Sequence, residues 1–127
     1  MKNTHYERLG GEKVVRELVD RFYDLMDSAK DVSELRAIHA PDLTDARNKL
    51  FMFLSGWLGG PSLYIEKYGH PRLRQRHISF HIGETERDQW MFCINQAMSD
   101  MKVEKELQQT LYAAFFKTAD FMRNQQA

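Results

Sequence analysis

Apolar positions along this chain recur at helical spacing, in stretches separated by glycine and proline. Thr4 is placed to cap a short turn through Leu9, and Gly10-Gly11 breaks it. Val15, Leu18, Val19, Phe22, Leu25 and Met26 then fall three or four residues apart and form one helical stripe. Tyr23 sits at the edge of that stripe, where its ring can be buried while its hydroxyl seeks a polar partner. Leu35, Ile38 and His39 make a short apolar cluster before Ala40-Pro41. Thr44 offers a cap for a helix carrying Ala46, Leu50, Phe53, Leu54 and Trp57, which Gly59-Gly60-Pro61 ends sharply. The pattern from Pro61 to Arg72 is irregular and predicts an extended loop leading into a short helix from Pro71 to about His77. Thr85, three residues before Asp88, resembles a capping arrangement for a helix whose Trp90, Ile94, Ala97, Met98 and Met101 share a face. A last helix presents Leu107, Leu111, Ala114, Phe115, Thr118 and Met122. Short helices that are apolar on one side must pack around a common core, so the expected class is all-α.

Composition narrows this. A chain of 127 residues with no internal repeat, low-complexity tract or linker reads as one domain, 1–127. Eighteen basic and eighteen acidic side chains cancel, so overall charge favours neither nucleic acid nor a membrane surface. The start, Met1 to Tyr6, shows no apolar leader, and no window approaches about 18 uninterrupted apolar residues, which points to a cytoplasmic protein. A single cysteine, Cys93, excludes an internal disulfide, a Cys-x-x-Cys metal knuckle and covalent c-type haem attachment; it reads as a packing residue.

One local asymmetry stands out. Between Lys67 and His77 lie Lys67, Arg72, Arg74 and Arg76 and no acidic side chain. Taken alone this is a solvated basic face or an anion site. Nucleic acid is the poorer anion, because the patch lacks interleaved aromatic rings for stacking and the rest of the chain is not basic. Haem is the richer one. It presents two propionates for arginine, a neutral imidazole such as His77 can ligate its iron, and the indole N–H of Trp90, thirteen residues later, can donate to a ligand on the other face.

The tract Gly59-Gly60-Pro61, the string Gly69-His70-Pro71-Arg72-Leu73-Arg74 with Arg76-His77, and then Phe80, Ile82 and Trp90 resemble the truncated haemoglobins, in particular their second group. Phe22-Tyr23 and Leu35-Arg36-Ala37 add to the match, which runs from Tyr6 to about Phe121. The resemblance implies a globin-like two-over-two helical sandwich holding noncovalent haem b. It makes His77 the proximal iron ligand and Arg76 a propionate partner, with Lys49 and Tyr64 as weaker candidates for that role and Leu73, Phe80 and Ile82 against the cofactor. On the opposite face it places Tyr23, His39 and Trp90 as polar groups, Leu50 and Phe53 as apolar walls, and Ala46 where other globins carry the distal histidine. Relatives vary at the position of His39, so its role does not transfer cleanly; its tautomer, and whether His39 or Tyr23 can itself bind iron, stay open at this point.

Two functional classes use these residues. One is binding of oxygen, carbon monoxide or nitric oxide in a polar pocket with high oxygen affinity and slow release, in a monomer or weak dimer. The other is haem-based detoxification, peroxidase-like or nitric oxide dioxygenase, acting on peroxide or on oxygen and nitric oxide. No flavin or nicotinamide motif occurs, so that chemistry requires a separate reductase. A third class, a haem-free helical interaction module, would leave the stripes as core and the basic patch as a docking surface.

Overall fold

The computed structural model describes residues 4–70 and 82–122. Its helices are α1 (His5–Leu9), α2 (Glu12–Ser28), α3 (Ser33–Ala37) after a 3-10 turn (Lys30–Val32), α4 (Thr44–Trp57), α5 (Leu63–Tyr68), α6 (Glu84–Asp100) and α7 (Lys105–Phe121). The described residues contain no strand.

The stripe on α2 becomes the centre of the core. Val15, Leu18, Val19, Phe22, Tyr23 and Met26 are buried, and they meet Cys93, Ile94, Ala97 and Met98 of α6 and Leu107, Leu111 and Phe115 of α7. α2 also packs on α4, and α6 on α7. The α6–α7 pair is antiparallel, since Gln108 donates to Asn95 at 2.9 Å near one end while Arg87 donates to Asp120 at 2.9 Å near the other. α2 and α4 therefore form one layer over α6 and α7, a two-over-two arrangement.

The helix ends explain where the layers stop. Thr4 caps α1 through its hydroxyl, which accepts from Glu7 N–H at 3.1 Å. α4 closes in a Schellman turn: Gly59 takes φ +98° and the N–H of Gly60 reaches Ser55 O at 2.8 Å. The buried Ser55 hydroxyl donates to Pro61 O at 2.7 Å and holds the corner, and a Cβ on Gly60 would meet the Tyr6 ring at 2.5 Å. Gly60 is thus required by the close approach of α1.

Three expectations about local structure change. The irregular stretch after Pro61 contains α5, whose six residues are too few to display a period. Thr44 is the first residue of α4 rather than its cap, and its N–H donates to Asp42 Oδ1 at 2.9 Å. At α6 the cap lies two residues earlier than the Thr85–Asp88 spacing suggests: Glu86 Oε1 accepts from Gly83 N–H at 2.8 Å, the half of a capping box that a glycine permits. The helix expected from Pro71 to about His77 lies outside the described residues. None of the described helices is long and apolar enough to cross a membrane.

Candidate functional site

Between the layers is a cavity of about 640 Å³, within the ~300–1,000 Å³ typical of cofactor and small-molecule sites. It is lined from α2 by Tyr23, from α3 and the turn after it by Leu35, Ile38, His39 and Ala40, and from α4 by Ala46, Lys49, Leu50, Phe53, Leu54 and Trp57. Tyr64 of α5, Ile82, and Glu86, Arg87 and Trp90 of α6 continue the wall, and Phe115, Thr118 and Ala119 of α7 with Met122 close it. Asp42 and Asp45 stand at the α4 side. Every expected site residue that falls within the described residues lines this one cavity: Tyr23, His39, Ala46, Lys49, Leu50, Phe53, Tyr64, Ile82 and Trp90. Leu73, Arg76, His77 and Phe80 lie outside the described residues.

An aromatic cluster sets the polar wall. Phe22 is buried between Tyr23 and Trp90, with ring centroids at 4.9 Å and 5.1 Å, and the Tyr23 ring meets His39 edge-on at 6.0 Å. Trp90 continues to Phe115 at 5.6 Å, which stacks on Trp57 at 4.7 Å. Because Tyr23 is only 5% exposed, loss of hydration pushes its phenol well above the ordinary range. The Arg47 guanidinium, 5.8 Å from its ring centre, pulls the other way without prevailing. The phenol therefore keeps its proton and remains a donor. Arg47 is itself fixed by Asp24 at 2.8 Å and by the carbonyl and carboxylate of Asp20 at 3.0 and 3.2 Å, tying α4 to α2 beside Tyr23.

His39 Nδ1 lies 2.9 Å from Leu35 O. A carbonyl can only accept, so Nδ1 carries the hydrogen and, in the neutral ring, Nε2 carries the lone pair. The tautomer left open by the sequence is settled by this bond. Neutral His39 is an acceptor at Nε2 and becomes a donor there only on protonation. No buried side-chain nitrogen or oxygen among the described residues lacks a hydrogen-bond partner, so the polar atoms of this wall are either partnered or open to the cavity.

Two cations of the lining, Lys49 and Arg87, have acidic partners. Lys49 pairs with Asp45 at 3.0 Å, which holds its ammonium above the ordinary range, and it stands 5.7 Å from the Tyr68 ring centre. Lys67 approaches the same ring at 5.4 Å, and Tyr64 packs on Tyr68 at 4.9 Å. Arg87 is taken up by Asp120 and Asp88 and lies over Phe116. Sequence reasoning missed Asp42, Asp45, Glu86, Trp57 and the α7 residues of the lining. Their carboxylates look like ordinary helix-start acids, and Trp57, Phe115 and Thr118 read as plain core positions.

The lining fits a flat, apolar macrocycle with polar edges. Leucine, isoleucine and aromatic side chains supply apolar faces, Lys49 and Tyr64 stand at one edge, and Tyr23, His39 and Trp90 form a polar corner. Cys93 offers no competing ligand: it is wholly buried, and desolvation pushes its thiol up to about 11.

Comparison with known proteins agrees. The family model of bacterial-like globins matches residues 4–124. The group 2 truncated haemoglobin of Bacillus subtilis (strain 168) is 39% identical over 123 residues, which span 97% of this chain and 90% of that protein. Among solved structures, the group II 2-on-2 haemoglobin of the plant pathogen Agrobacterium tumefaciens is 42% identical with a TM-score of 0.93, over 98% of this chain and 96% of that one. A truncated oxygen-avid haemoglobin from Bacillus subtilis is 38% identical with a TM-score of 0.87, over 96% and 100%. The chain is a bacterial-like globin of the group II truncated haemoglobins, a two-over-two haem globin that binds small ligands.

Proposed function

We propose that this single-domain globin binds oxygen and related diatomic ligands tightly and releases them slowly, in a pocket whose donors are Tyr23 and Trp90. Haem b, held without a covalent bond, would supply an iron able to bind a diatomic ligand. His77 would be the iron's protein ligand, and Arg76, with Lys49 and Tyr64, would hold the propionates. Leu73, Phe80 and Ile82 pack against the cofactor. The apolar walls from Leu50 and Phe53 exclude water, which strengthens every hydrogen bond made inside. Ala46 offers no hydrogen bond and leaves room for ligand entry.

The observation that carries this reading is the corner where Tyr23, His39 and Trp90 line one cavity around the buried ring of Phe22. Burial keeps the Tyr23 phenol protonated, and an indole N–H only donates, so both present hydrogen to a ligand that gathers partial negative charge. Neutral His39 contributes an acceptor instead. Each well-aimed donor is worth roughly 1.5 to 3 kcal/mol, about ten- to a hundredfold in affinity. The oxygen-avid character of the Bacillus subtilis protein supports the same direction.

Stopped-flow displacement of oxygen by carbon monoxide tests it. Tyr23→Phe and Trp90→Phe are each expected to speed oxygen release about ten- to a hundredfold. Release rates unchanged in both variants would remove the polar pocket as the source of retention.

A further inference from the structure

α3 has five residues, too few to bond more than a small part of its own backbone. Val32, at its N-cap, has no side-chain oxygen to offer the first-turn N–H groups. The N–H of Leu35 is satisfied from another helix: Gln89 of α6 accepts it on Oε1 at 2.9 Å. The same amide donates from Nε2 to Glu34 Oε2 at 2.8 Å. These two partners fix the amide's orientation, because a backbone N–H only donates and an ionised carboxylate only accepts. The Gln89 bond is the largest cause holding the Glu34 carboxyl below its ordinary range. On its other side Leu35 presents the carbonyl that takes the Nδ1 hydrogen of His39. Leu35 thus connects Gln89, the residue before Trp90, to the imidazole at the polar corner.

We propose that Gln89 is a positioning residue that sets the tautomer of His39. By holding Leu35 from α6, it keeps the Leu35 carbonyl where His39 Nδ1–H can reach it, and so keeps the lone pair on Nε2. The other tautomer would put a hydrogen on Nε2, add a third donor to the pocket and withdraw an acceptor from it. The inference rests on the reading of Tyr23, His39 and Trp90 as the ligand-facing wall. It adds that a side chain on α6 determines how many of the three donate.

The test uses the full chain with ¹⁵N-labelled histidine, both haem-free and as the ferrous carbon monoxide form. His39 is assigned by its loss in His39→Gln. Nitrogen shifts report which ring nitrogen carries hydrogen, and the infrared C–O stretch reports donors near the ligand. The parent chain is expected to show hydrogen on Nδ1 in both forms. Gln89→Met, similar in length but without the amide, is expected to move both His39 nitrogens toward averaged values and to split or shift the C–O band. The exchanged pair Glu34→Gln/Gln89→Glu, which keeps an acceptor for Leu35 N–H and reverses the polarity of the second bond, is expected to restore the parent signals. Unchanged nitrogen shifts in Gln89→Met would overturn the proposal. So would failure of the exchanged pair to restore them, because the effect would then be a general loosening of α3. A parent chain that took up no haem would defeat the functional reading instead, while the haem-free nitrogen shifts would still decide the role of Gln89.

Discussion

α2 and α4 lie in the same layer, yet they use their apolar stripes differently. Along α2, Val15, Leu18, Val19, Phe22 and Met26 are at most 1% exposed, within one protein core. Along α4 only Leu54 of the comparable stripe is buried to that degree, while Ala46, Leu50, Phe53 and Trp57 stay partly open and line the cavity. The chain completes α2 by itself. On α4 it leaves an apolar face open to the cavity, and a group filling that cavity would gain about 25 cal/mol per Å² of apolar area removed from water. A half-finished stripe beside a finished one is therefore a physical signature of a cofactor site.

Substitution on each helix sharpens that contrast. Leu18→Ala on α2 is expected to cost about 2–5 kcal/mol whether or not haem is bound, because the void lies wholly within protein. Denaturant titration of both forms checks it, and a cost that appeared only in the haem-bound form would break the contrast. Haem itself is expected to stabilise the folded chain by about 2.7 kcal/mol at a hundredfold excess over its dissociation constant. Leu50→Ala on α4 is expected to cost less than about 1 kcal/mol without haem and roughly 1–2 kcal/mol more with it, since only then does the truncation leave an enclosed cavity. Equal costs in the two forms would mean that the α4 face is ordinary core.

The sequence made α2 fully legible, because a long unbroken period needs no partner to be recognised. Phe22, Ile94 and Leu111 are core for the reason their spacing suggests. Tyr23 and Trp90 were legible as site residues only through the motif they accompany, since by composition each is an unremarkable core aromatic. Asp42, Asp45 and Glu86 were not legible at the cavity. Two of them, Asp42 and Glu86, also accept backbone N–H groups at helix starts, a local role that hides the nonlocal one. The bond between Gln89 and Leu35 joins residues far apart in sequence, and no periodicity encodes it. α5 was missed because six residues beside two prolines and a glycine carry too little pattern.

A smaller effect follows from His39. Acid that protonates its ring puts hydrogen on Nε2 while Leu35 O retains Nδ1–H, adding a third donor to those of Tyr23 and Trp90. Among the described residues Arg47, the Arg36–Asp27 pair, Glu34 and Asp42 carry charge near that ring or the backbone holding it and act on the same step, while the Tyr23 phenol stays neutral. Oxygen release is expected to be slower at about pH 5.5 than at about pH 8. Identical off-rates would exclude His39 as a contributor.

The most direct measurement is the visible absorption spectrum of the purified chain, ferric, then reduced with dithionite, then exposed to carbon monoxide, beside His77→Ala. The half-finished face of α4 and the polar corner at Tyr23, His39 and Trp90 require a Soret band that shifts on reduction and again with carbon monoxide, and that is lost or strongly altered in the variant. No Soret band after reconstitution with haemin would contradict the haem site. A band indifferent to His77→Ala would contradict the assignment of the iron ligand.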